Sequence, residues 1–182
     1  MDMFFQAVPE MIATLIGVAV GGIGALYFDS RRELLGRRKR ALIVLHNLSG
    51  ELEDNVRVLR DARGAYEDTP FGKSFYISSI AWEAATTGGD LPDIIGYELT
   101  DFIEDQYAIL LRLRYYVDLM TQLWFAPGDI NGYHDIQQGF RQHILTGIHD
   151  AIENHPHVIE RITTARTALG KSPKRHVRTV PR

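Results

Sequence analysis

Histidine is the side chain that most readily does chemistry near neutral pH, because it changes charge there and ligates metals. Five of the seven histidines fall between residues 134 and 157, at His134, His143, His149, His155 and His157. His149 and Glu153 are four residues apart, so they share one face of a helix. A two-metal bundle site requires Glu-x-x-His pairs, and a zinc protease requires His-Glu-x-x-His; neither pattern occurs. His149 and His157 are therefore expected at solvated positions, with His143 bordering an apolar face. Asp101, Glu104 and Asp105 form an acidic group that could act as acid and base, yet a solvated helix face explains them as well. The absence of cysteine excludes a thiol nucleophile, thiolate-held zinc or iron–sulfur sites and disulfides. Gly21-Gly22-Ile23-Gly24 and Gly88-Gly89 lack the Lys-Ser/Thr of a phosphate loop, and no Gly-x-Ser-x-Gly elbow is present. No catalytic, metal or cofactor residue is assigned on these grounds, and the chain reads as non-enzymatic.

Arg40 and His46, with five residues between them, resemble the Arg/His spacing of HEPN-type helical ribonucleases. The resemblance covers those two residues, and Ala41 stands where that family tends to carry a polar one. It implies a membrane-tethered ribonuclease. With a hydrolase built on the late histidines, it forms the enzymatic alternative to the reading below.

The elements that would position these groups are helical. Leu42, Leu45, Leu48, Leu52, Val56 and Leu59 recur in steps of three and four, predicting one helix from Glu33 to Arg63 with Gly64 as its stop. Its opposite face carries Glu51, Glu53, Asp54, Arg57 and Arg60. A short helix is expected from Ser74 to Thr87. Asp90 as N-cap and Pro92 in the first turn then open a longer one. Along it Ile95, Leu99, Phe102, Gln106, Ile109, Leu113, Tyr116, Met120 and Leu123 form a heptad seam, widened by Ile103, Leu110, Val117 and Trp124. Gln106 is its one polar member, placed either to fix register or to bond a neighbouring backbone carbonyl. A further helix is expected over Gly132 to Asn154, an interruption at Pro156, and a last short helix after it. No strand-like alternation of useful length occurs. The body is predicted to be an all-α bundle of four or five helices over residues 41–170, followed by a mobile basic tail, residues 171–182.

Residues 11–28 (MIATLIGVAVGGIGALYF) carry no charge over eighteen positions. At about 1.5 Å per residue they match a bilayer core of about 30 Å, predicting a single transmembrane helix. The start Met1-Asp2-Met3 lacks the basic residues of a signal peptide, which favours a retained anchor. Within the run, Ala13, Gly17, Gly21 and Ala25 recur every four residues, a spacing that lets two spans pack closely. The segment over residues 29–40 then presents Arg31, Arg32, Arg37, Arg38, Lys39 and Arg40 to anionic lipid headgroups. The positive-inside bias places residues 1–10 outside the cell membrane and the bundle in the cytoplasm. Residues 41–170 hold nine basic and nineteen acidic side chains, and the tail lacks aromatics for base stacking, so nucleic acid is a poor partner. The expected function is a single-pass, membrane-anchored interaction module that forms homo-oligomers or docks another membrane protein. A membrane-active effector, of toxin, viral or defence type, oligomerising through the Gly-rich span is the other non-enzymatic alternative.

Overall fold

The protein, seen in a computed structural model, is described over residues 2–68, 74–89, 91–125 and 132–171, with side chains described from residue 27 onward. One helix, α1 (Asp2–Asp68), is followed by α2 (Ile80–Thr86), α3 (Leu91–Ile95), α4 (Tyr97–Trp124) and α5 (Tyr133–Gly170). No strand occurs among the described residues. The chain divides into two compact units, Met1–Arg40 and Ala41–Arg182.

Among the described residues no helix is long and apolar enough to cross a membrane. The expected span lies, apart from Tyr27 and Phe28, on residues whose side chains are outside that description, and so do Ala13, Gly17, Gly21 and Ala25. In the first unit Arg31, Arg32, Arg37, Lys39 and Arg40 are exposed and Arg38 is half-buried.

In the second unit the predicted α1 stripe is the first wall of the core: Leu45, Leu48, Leu52, Val56 and Leu59 are all buried. The helix does not stop at Gly64, and Arg141 of α5 caps its end by donating from Nε to the Tyr66 carbonyl (2.8 Å) and from Nη2 to the Glu67 carbonyl (3.0 Å). A cation at a helix C-terminus also meets the negative end of the helix dipole. Arg166, near the other end of α5, reaches Ser49, so α5 runs antiparallel to α1. Contacts from Glu98 to Arg161, Gln106 to Ala151 and Tyr116 to His143 make α4 antiparallel to α5 as well. Leu113 packs directly on Gly147; a Cβ added there would lie 2.8 Å from its Cδ2, so α4 and α5 approach closely at that level.

Four further expectations need correction. The helix predicted from Ser74 is non-helical as far as Ser79. Asn55 explains why: its amide nitrogen donates to the Ser78 carbonyl and its amide oxygen accepts from the Ser78 N–H, both at 2.8 Å, taking the two groups a helix would use. The helix expected to run through Ile95 breaks at Gly96, whose φ of 92° lies in a region that glycine adopts readily, and α4 begins at Tyr97. Asp90, the expected cap, lies outside the described residues. Pro156 does not interrupt α5. Its missing N–H and ring cost about 3 kcal/mol in a helix interior. The buried line of Ile144, Ile148, Ala151, Val158 and Ile162 passes straight through it and offsets that cost.

The last correction concerns α4. Of the predicted seam only Gln106, Leu113 and Met120 are buried, while Ile95, Leu99, Phe102, Ile109, Tyr116 and Leu123 are half-buried at its flank. The buried line runs instead through Thr100, Ile103, Tyr107, Leu110 and Val117 together with those three. The helix is rotated by about one residue from a symmetric seam because it packs on two sides, against α5 and against α1 with the segment at residues 74–86.

Candidate functional site

Among the described residues Glu51 is a densely bonded polar group, accepting four hydrogen bonds, and nothing in its sequence neighbourhood marks it out. It lies on α1 beside the buried stripe, facing the segment that precedes α2. Its Oε2 accepts from the Ser78 hydroxyl (2.7 Å) and the Ala81 N–H (2.9 Å). Its Oε1 accepts from the Tyr107 hydroxyl (2.6 Å) and the Trp82 N–H (3.3 Å). A carboxylate at the first turn of a helix satisfies orphan amides and meets the positive end of the dipole. Burial raises the Glu51 pKa, but the bonds from Tyr107, Ala81, Ser78 and Trp82 together outweigh it and hold the carboxyl below its ordinary value. Tyr107 is pushed far upward by burial, by its bond to Glu51 and by that charge, so its hydroxyl stays a donor. The Trp82 ring stacks on Tyr107 with centroids 4.8 Å apart. One turn on, Asn55 holds Ser78 through the paired bonds already described. Tyr66 packs edge-on against Phe75 (5.9 Å), and burial lifts its hydroxyl to about 12. Together these groups fasten residues 74–86 to α1 and α4. The arrangement binds a segment of its own chain, and no open acid–base pair faces solvent from it.

The late histidines do not converge. His134 and His157 are exposed, and His143 is exposed but stacks on Tyr116 at 5.0 Å. His149 Nε2 lies 3.2 Å from Glu153 in a solvated pair. His155 alone is buried. Among the described residues no group of three or more His, Asp or Glu side chains is placed to hold a metal ion. Asp101, Glu104 and Asp105 are exposed along α4, and Arg40 and His46 are each exposed on α1. Gln106 donates from Nε2 to the Ala151 carbonyl (2.9 Å), so the second of its two expected placements is realised within the monomer.

A groove of about 750 Å³ opens between the start of α4 and the end of α5. Leu99, Phe102 and Ala165 line it, with Glu98, His157 and Arg161 among its polar groups. Arg161 lies over the Phe102 ring at 4.4 Å and donates to Glu98 at 2.6 Å, so its charge is already committed within the bundle. Leu99, Phe102 and His157 stand out in the sequence individually, but the groove they line does not, because it is made by the break at Gly96 and the continuation of α5 past Pro156.

The six basic residues at positions 31–40 are the other chemically distinctive group. Arg37 pairs with Glu33 at 2.7 Å and Arg31 lies over the Tyr27 ring at 5.2 Å. Tyr27, Phe28, Leu34 and Leu35 expose apolar surface among these charges. Cations interleaved with exposed aromatic and leucine side chains suit a surface that is anionic on the outside and apolar beneath. Comparison of the chain with protein-family models, with curated proteins and with solved structures returns no match.

Proposed function

We propose that this chain is a single-pass membrane protein whose cytoplasmic helical bundle acts, without catalysis, as an interaction module. The observation that carries the reading is the uncharged run at residues 11–28, followed over residues 29–40 by six basic residues against two acids, Asp29 and Glu33. The basic side chains lie at the headgroup level and hold anionic lipid, with Tyr27 and Phe28 at the boundary of the hydrocarbon. The small-residue line Ala13, Gly17, Gly21 and Ala25 packs against a second copy or another span. The N-terminus is outside the cell membrane and the bundle presents its acidic surface to a cytoplasmic partner.

Expression of the full chain in membranes tests this directly. The protein should resist extraction by alkaline carbonate, and protease added from the cytoplasmic side should cleave within the bundle but leave residues 1–10 intact. Complete extraction by carbonate would end the reading. Replacing Gly17 and Gly21 with Leu should lower the oligomer mass in mild detergent, and an unchanged mass would confine association to the bundle.

A further inference from the structure

His155 occupies a core position on α5, one turn after Ala151 and one residue before Pro156, and is only 9% exposed. Its Nδ1 is buried without a hydrogen-bond partner. The charged groups that face it come from α1: Arg60, which repels a cation, and Glu53, which attracts one. The α4 helix presents the neutral amide of Gln106 to the preceding turn, and its Oε1 is likewise without a partner, so it does not accept from His155. On α5 itself Glu153 is exposed and engaged with His149. A protonated imidazole at this position would therefore gain a second N–H with no acceptor, inside an apolar line of Ile148, Ala151, Val158 and Ile162.

Pro156 stands next to this group in the chain. It has no N–H to donate to the Ile152 carbonyl, so α5 lacks one rung of its ladder at this level. Beyond it, residues 157–170 are held by Val158 and Ile162 in the core, by Arg161 on Glu98 and by Arg166 on Ser49. The Arg161–Glu98 pair lies at the surface, where pairs stabilise little, and the part-buried Arg166–Ser49 contact is long at 3.5 Å.

We propose that His155 and Pro156 form an acid-sensitive latch, in which protonation of the buried imidazole frees residues 157–170 from α1 and α4. The break falls at Pro156 because the helix is already one bond short there. Release would open the groove between α4 and α5. The sign follows from the burial, with the Arg60 charge reinforcing it: both hold the imidazole below its ordinary value of 6.5, so the neutral form belongs to the closed bundle. The latch is fully closed above that value and loosens as pH falls from 6.5 through the lowered value. It concerns the bundle alone and stands whether or not residues 11–28 span a membrane.

The test is amide hydrogen exchange on the full chain in detergent micelles at pH 7.5 and 5.5, corrected for intrinsic exchange rates. Protection over residues 157–170 should fall at pH 5.5 by on the order of tenfold relative to residues 137–150. In His155→Leu this relative loss should disappear. An unchanged ratio in the natural chain, an equal loss across all of α5, or the same relative loss in the variant would each overturn the latch. Should His155→Leu not fold, the histidine ring signals of the natural chain decide. The His155 signal must titrate in step with the loss of protection, and titration out of step with it also overturns the proposal.

Discussion

Two stretches of one helix carry similar side chains to opposite ends. In residues 27–40 of α1, Leu34 and Leu35 are 66% and 63% exposed; in residues 41–68, Leu45, Leu48 and Leu52 are fully buried. Residue type does not separate them, since both stretches are helical and both carry leucine. Their neighbours do. The first stretch packs six basic residues into ten positions, whereas the second has α4, α5 and residues 74–86 laid against it. A helical stripe thus says which face seeks cover, and the charge around it says whether protein or some other surface supplies it. The largest expected effect tests this contrast. Leu48→Ala should cost the bundle about 2–5 kcal/mol in denaturant titration, while Leu34→Ala should stay within about 0.5 kcal/mol in detergent solution. Equal losses would mean that residues 27–40 are covered by protein after all.

The sequence shows its helices more readily than its contacts. The α1 stripe and the all-helical class follow from apolar periodicity, because burying one face is what makes a short amphipathic helix stable. The rotation of α4 was hidden, since Ile103, Leu110 and Val117 are as apolar as the expected seam and only a third packing partner selects between the two lines. Pro156 shows the same limit from the other side. A local rule marks a helix end there, and long-range burial of Val158 and Ile162 overrides it. The Glu51 cluster was least legible of all. Its partners lie 27 to 56 residues away, and no local pattern distinguishes an anchoring glutamate from its exposed neighbour Glu53.

Two glutamates sharpen the contrast between the stretches. Glu33 accepts one bond from Arg37 with both side chains mostly in solvent, while Glu51 accepts four from three elements of the bundle. Glu51→Gln should cost about 1–3 kcal/mol, because an amide cannot accept at both ends and leaves donors without a charge to meet. Glu33→Gln should cost under about 0.5 kcal/mol, and added salt should erase even that. The two also differ in acid. Because the folded bundle holds Glu51 below its ordinary carboxyl value of 4.5, its contribution is complete above that pH. It is lost as pH falls from 4.5 through the lowered value, since the unfolded chain then binds the proton first. A titration of stability from pH 6 to pH 3 should be flatter in Glu51→Gln than in the natural chain, and coincident slopes would place the acid loss elsewhere.

The smallest effect asks whether the two stretches melt together. Gly36 and Gly50 each lie within α1, with nothing within 4 Å of an added Cβ. Alanine at either position therefore meets no obstacle and gains only the backbone advantage of leaving glycine, about 0.5–1 kcal/mol. At Gly50 that gain should appear in the unfolding free energy of the bundle, because the flanking Leu48 and Leu52 are part of its core. At Gly36 it should appear as local helix protection in hydrogen exchange while the bundle midpoint stays still, since the residues on either side are exposed. If both substitutions raise the midpoint equally, the boundary between the units is not a boundary in cooperativity, and the helix transmits order past Arg40 by its own propagation.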